Sequence, residues 1–271
     1  MSGAVADPGG RQVVGDDVHL MLLHGQPGAG SDWDAVVRAL PPRLRGVALD
    51  RPGYRSSPHP PGTFADNARW LLAELDSSDI DTAVLVGHSY GGGVALTAAA
   101  MAPRRITGLV LVSSVGPGCL DGWDALLAAP VAGPICALSA WWLTPWFARR
   151  RLARIERIRN RPLEPDEHLS WEIWGNARHE HGAMWRTFLN EQRELVRGLE
   201  RLDTLLDAVT APTLIIADPA DKMIPLHTAR TLAERLPHSE LVLSDQGGHH
   251  LPRRMPVFLA DEITRFVLTL G

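Results

Sequence analysis

Val84-Leu85-Val86-Gly87-His88-Ser89-Tyr90-Gly91-Gly92-Gly93 is the stretch on which the fold turns. A continuous apolar run stops at a glycine, a serine follows two residues later, and small-residue helical text begins at once (Val94 to Ala102). Gly87-His88-Ser89-Tyr90-Gly91 fits G-x-S-x-G, a sharp strand-to-helix turn that holds a serine oxygen clear of the backbone. Such a turn strains the serine and crowds neighbouring chains, so glycines belong on either side.

Outward from this turn, strands alternate with helices. Val18 to Leu23 reads as a strand ending in the loop His24-Gly25-Gln26-Pro27-Gly28. Ser31 is placed to cap a helix from about Trp33 to Leu40, with Asp32 and Asp34 suited to its first turn. Strands follow at Gly46 to Asp50, Thr82 to Val86 and Thr107 to Ser113, and a helix at Phe64 to Leu75. After Ser114 the alternation stops. From Pro117 to about Trp185 the text is apolar and Arg-rich with no strand pattern. Alternation resumes with strands at Pro212 to Ala217 and Glu240 to Ser244, and helices around Thr228 to Leu236 and Pro256 to Leu268. Buried strands alternating with helices predict a parallel sheet covered on both faces.

The chain has 271 residues, 45% of them hydrophobic, enough for one large domain carrying an insertion. A formal net charge of -4 argues against nucleic acid as the main partner. Lysine occurs once, at Lys222. Cys119 and Cys136 are too few for a metal site or a disulfide framework, and free thiols are expected. Residues 1–17 lack the basic start and apolar core of a signal peptide, so a cytoplasmic location is expected. Ala125 to Ala148 carries no charge, but Pro130, Pro134 and Pro145 interrupt it, and a greasy lid is a better reading than a membrane span.

A serine hydroxyl is a poor nucleophile at neutral pH. It needs a base in hydrogen-bond reach, a third group to orient that base, and backbone donors for the oxyanion formed on attack. His24-Gly25-Gln26-Pro27-Gly28, Asp50-Arg51-Pro52-Gly53-Tyr54-Arg55-Ser56, the Ser89 turn, Asp221-Lys222-Met223-Ile224-Pro225 and Gly248-His249 together resemble the α/β-hydrolase fold superfamily. The resemblance is to its serine branch of esterases, cofactor-free haloperoxidases and C–C bond hydrolases. It covers the chain except the extreme N-terminus and the insertion, in the order serine, acid, histidine.

The resemblance implies Ser89 as nucleophile, His249 as base and Asp221 as the acid. His250 is the competitor for the base and Asp218 for the acid. It also implies oxyanion donors on the backbone N–H groups of Gln26 and Tyr90; Pro27 has no N–H to offer. His24 matches a histidine that serves as a structural hydrogen-bonder, and His88 is expected to pack beside the site. No cofactor and no metal are implied. The fold implied is a mostly parallel sheet with helices on both faces and a helical cap inserted after the sixth strand. The core would comprise residues 1–116 and 190–271, and the cap residues 117–189. The N-terminus is short for the fold's usual first two strands, so fewer than eight are expected.

The insertion holds Trp123, Trp141, Trp142, Trp146, Trp171, Trp174 and Trp185. Leu138 to Phe147 is apolar enough to predict that Trp141, Trp142 and Trp146 line a pocket for an apolar substrate moiety. The following Arg149 to Arg161 text reads as a solvated helix face, with an anionic membrane surface as the sharper alternative.

The expected activity is that of a carboxylesterase-like serine hydrolase, cleaving an ester-like carbonyl in a small, partly apolar substrate through an acyl-enzyme on Ser89. An acyltransferase or perhydrolase would share the triad. A prolyl-aminopeptidase-like peptidase and a non-catalytic ligand-binding protein of the same fold are the remaining alternatives.

Overall fold

The computed structural model describes residues 18–55, 57–159 and 183–270. Six strands make one sheet: β1 (Val18–Leu23), β2 (Leu44–Leu49), β3 (Ala83–His88), β4 (Ile106–Val112), β5 (Thr213–Ala217) and β6 (Ser239–Leu243). Their order is β2-β1-β3-β4-β5-β6, and every pairing is parallel. The chain winds one way from β1 to β2 and the other way from β3 onward, so the order reverses between β1 and β3. Ligands of open α/β sheets bind at the carboxyl ends of the strands beside such a reversal.

Strand side chains alternate between two cores, because successive residues point to opposite faces. Leu20, Leu22, Val84, Val86, Val110, Val112, Leu214 and Ile216 face one core, closed by α1 (Asp34–Ala39) and the C-terminal helix. Met21, Leu23, Leu85, Leu109, Leu111 and Ile215 face the other, under α2 (Phe64–Ser77) and α3 (Tyr90–Met101). α2 starts at a capping box in which Thr63 Oγ1 accepts from the Asp66 N–H while Asp66 accepts from the Thr63 N–H. α3 is apolar on all sides and buried from Tyr90 to Ala99, which its Ala and Gly residues allow.

The insertion leaves after β4, the family's sixth strand once its usual first two are counted. It forms α4 (Gly122–Ala128), α5 (Ala132–Arg159) and a return helix, α6 (Ala183–Leu205). α6 crosses the expected 189/190 boundary without a break. Its first half packs Trp185 and Leu189 against Ala137 of α5, and its second half sends Leu195 and Leu202 into the sheet's core. Cap and core therefore share one rigid element. No single helix among the described residues is long and apolar enough to cross a membrane; α4 with Ala132–Ser139 passes that test only as a pair bent by 98°. After α6 come β5, α7 (Leu226–Arg235), β6, α8 (Leu251–Arg254) and α9 (Pro256–Val267).

Ser31 does not cap α1. A 3-10 turn over Gly30–Trp33 leads into that helix, and Ser31 Oγ accepts from Arg55 instead. Asp32 pairs with Arg253 of α8 rather than serving only the helix dipole.

Candidate active site

The turn after β3 places Ser89 at φ 53°, ψ -120°, a conformation a non-glycine residue holds only when its surroundings over-determine it. A Cβ on Gly87 would lie 2.5 Å from Gly91 O, and one on Gly91 would lie 2.5 Å from Leu23 O. Only hydrogen fits there, so the strand can reverse straight into α3. Tyr90 opens that helix, so its N–H has no intrahelical acceptor. Opposite the serine, a Cβ on Gly25 would meet Ser89 Cβ at 3.0 Å, which puts the loop after β1 directly against the turn.

His249 sits in the 3-10 turn Gly248–His250 after β6, and its Nδ1 lies 2.9 Å from Asp221 Oδ2. Asp221 Oδ1 accepts from the N–H groups of Met223 and Ile224 at 2.8 and 3.0 Å, which fixes the carboxylate plane. Burial pushes the Asp221 carboxyl up, but the His249 ring and those two amides outweigh it and hold it below the usual range. His88 Nε2 donates to His249 O at 2.8 Å, and burial keeps this imidazole neutral. His250 stacks edgewise on His249 at 5.5 Å between centroids, while His249 is the ring that meets Asp221. Among the described residues no hydrogen bond joins Ser89 Oγ to His249; such contacts commonly close only when substrate is bound.

Asp218 has other work. Its Oδ2 accepts from Ser244 Oγ and from the N–H groups of Gly247 and Gly248 at 3.0, 2.7 and 2.8 Å, and its Oδ1 from Ala220 N at 2.7 Å. It ties the end of β5 to the loop that carries His249. Burial raises its pKa, yet the Ala220, Gly248, Ser244 and Gly247 donors prevail and hold it low. A carboxyl with a depressed folded-state pKa contributes stability that is fully present above its unfolded value, about 3.9, and lost as pH falls through the folded value. The thermal midpoint followed by circular dichroism should therefore fall between pH 5 and pH 3. Asp218→Asn should lower the midpoint at pH 7 and flatten that dependence; an unchanged slope would place the acid-labile group elsewhere.

Between cap and core lies a cavity of about 330 Å³. Its apolar lining comes from Leu127, Ala137, Trp185, Phe188 and Met223, and its polar lining from Gln26, Asp32, His88, His249, His250 and Arg253. Cys136 lines it as a free thiol, and Cys119 is free and buried. Of the residues that the Trp-rich run led one to expect in the pocket, Trp146 does not line this cavity. Trp146 is 48% exposed, with the Arg150 guanidinium 3.9 Å over its ring, because it lies on the outward side of α5. The side chains of Trp141 and Trp142 lie outside the described residues. Among the described residues, the tryptophan that lines the cavity is Trp185, on α6.

Two polar links from α6 escaped the sequence reading. Glu191, fully buried, pairs with Arg51 and accepts from Tyr54 Oη at 2.6 Å. Gln192 Oε1 accepts from Gln26 Nε2 at 2.9 Å, and Gln192 Nε2 donates to Asp124 Oδ1 at 2.6 Å. Their signal is a Glu and a Gln at the inward positions of a helix otherwise facing the core with Leu189, Leu195 and Leu202. Among the described residues, no group of three or more His, Cys, Asp or Glu side chains gathers so as to hold a metal ion.

A family described as the alpha/beta hydrolase fold matches residues 18–252. The chain belongs to that family. This hydrolase is 31% identical over 240 residues to 2-hydroxymuconate semialdehyde hydrolase of Pseudomonas sp. (strain CF600), covering 85% of this chain and 80% of that protein. It is 30% identical over 241 residues to the pimeloyl-[acyl-carrier protein] methyl ester esterase of Aromatoleum aromaticum, covering 85% and 90%. A thermophilic esterase from Thermogutta terrifontis superposes on the hydrolase with a TM-score of 0.68 at 23% identity, covering 93% of this chain and 90% of that one; at that identity the likeness is one of fold.

Proposed function

We propose that this hydrolase cleaves an ester-like carbonyl in a small, partly apolar substrate through an acyl-enzyme on Ser89. The observation that carries the reading is the Asp221–His249 hydrogen bond, with His249 in the wall of a cavity also lined by Leu127, Trp185 and Phe188, beside a strained serine turn. With Nδ1–H held by Asp221, His249 Nε2 is free to take the Ser89 proton as the oxygen attacks. The carbonyl oxygen becomes an oxyanion facing the Gln26 and Tyr90 N–H groups. His249 then returns the proton to the leaving group, and water repeats the sequence to release the acid. A cavity of about 330 Å³ is at the small end of the 300–1,000 Å³ that ligand pockets occupy.

A second reading is hydrolysis of a carbon–carbon bond next to a carbonyl, favoured by the likeness to the 2-hydroxymuconate semialdehyde hydrolases. The same three residues would serve it. A series of p-nitrophenyl esters of increasing acyl length separates the two. For an esterase, kcat/KM should rise by up to about fourfold per methylene, the equivalent of about 0.8 kcal/mol, and fall once the cavity is full. Phe188→Ala should move the optimum to longer chains. A flat, negligible profile in a protein whose Ser89 still reacts with a fluorophosphonate would sink the ester reading and leave the carbon–carbon one.

A further inference from the structure

We propose that Arg51 is a positioning residue for the oxyanion hole: it holds and polarises the Gly25–Gln26 peptide, and Glu191 on the return helix of the cap holds Arg51 in place. The inference rests on the reading of Gln26 N–H as an oxyanion donor.

The Arg51 guanidinium is fully buried, and its donors divide between two groups. On one side it meets the Glu191 carboxylate through Nη1 and Nη2, the latter at 3.2 Å from Oε2. On the other, Nε donates to His24 O at 2.8 Å and Nη2 to Gly25 O at 2.9 Å. Lysine, a point donor, could not span both carbonyls and the carboxylate.

His24 adds a second donor to the same carbonyl. The backbone N–H of Arg51 points at His24 Nε2 at 3.0 Å, so that nitrogen accepts and the ring proton sits on Nδ1. Nδ1–H then donates to Gly25 O at 2.7 Å. Burial, followed by the Arg51 charge, keeps this imidazole neutral.

Gly25 C=O therefore receives two hydrogen bonds, one from a cation, and it belongs to the peptide unit whose N–H is that of Gln26. Peptide planarity means that fixing the direction of the C=O fixes the N–H on the opposite side. Drawing electron density onto the oxygen leaves the N–H more positive, the cooperative effect of linked hydrogen bonds in a low-dielectric interior. Such preorganised polarity stabilises charge that develops only in the transition state.

The same guanidinium lies 5.0 Å from the Tyr54 ring centroid and 4.9 Å from that of Tyr90, whose own N–H is the other proposed donor. A packed apolar pair would dock α6 without the desolvation cost of a buried ion pair. It would also leave Gly25 O without its charged donor. The cap is thus linked to the oxyanion loop through Glu191, Arg51 and one peptide.

The test uses full-length ¹⁵N-labelled protein and the Arg51→Lys variant. The Gln26 amide cross-peak should move upfield in the variant. Turnover of p-nitrophenyl butyrate should lose about tenfold in kcat with KM within twofold. Affinity for a trifluoromethyl ketone, which places an oxyanion on its Ser89 adduct, should fall by the same factor. A folded variant with an unmoved Gln26 cross-peak, or with unchanged kcat and inhibitor affinity, would overturn the proposal. If Arg51→Lys does not fold, Tyr54→Phe removes a single hydrogen bond to Glu191 and should shift the same readouts in the same direction by less; no shift there overturns the proposal equally. A wild-type protein with neither turnover nor fluorophosphonate labelling would defeat the reading of function, and the Gln26 cross-peak would still decide whether Arg51 polarises the peptide.

Discussion

Ser89→Ala should abolish both fluorophosphonate labelling and ester turnover, with kcat falling by about a millionfold. The expectation follows from the turn. The turn holds the Ser89 backbone at φ 53° between glycines that admit no side chain, so the residue is presented from one fixed place. Alanine keeps the turn and the cavity while removing the oxygen. The residual rate would be that of the oxyanion donors and binding alone. Thermal stability should change little, so an inactive but folded variant is the supporting result. Retained turnover in the purified variant would mean that another group does the chemistry.

Asp221→Asn should lower kcat by about ten-thousandfold, with the fold intact. Asn can still accept from Met223 and Ile224 through Oδ1. Its amide would then turn N–H toward His249 Nδ1, which makes that nitrogen an acceptor and puts the ring proton on Nε2. The base is lost while the geometry survives. Asp218→Asn separates the two carboxylates, because the partners of the Asp218 carboxylate among the described residues are Ala220, Ser244, Gly247 and Gly248. Placing N–H donors among those donors should loosen the His249 loop and show first as a lower melting temperature. A greater kinetic loss in folded Asp218→Asn than in Asp221→Asn would reverse the two roles.

Much of this site is legible locally. A strained turn needs glycines within two residues, a buried parallel strand needs a continuous apolar run, and both demands are written in consecutive letters. The spacing of the Asp221 loop behind β5 and of His249 behind β6 is similarly local. The choice between Asp218 and Asp221 was not. Both lie on one loop, and what separates them is which carboxylate faces His249, 28 positions further along the chain from Asp221. Composition misleads at Trp146 for a related reason. Apolar composition marks α5 as greasy, but only the packing of α5 on α6 decides that Ala137 and Cys136 face inward while Trp146 faces out.

The sequence by itself determined the sheet, the serine turn and the order of the candidate acid and base, because each depends on the period of apolar residues or on steric rules a few residues long. The tertiary structure alone decided which carboxylate meets His249, which side chains wall the cavity, and that Glu191 reaches Arg51 and Tyr54 at the oxyanion loop. Those outcomes depend on side chains distant in sequence being buried together. There an unpaired charge is costly, and a partner must be supplied by whichever element packs alongside.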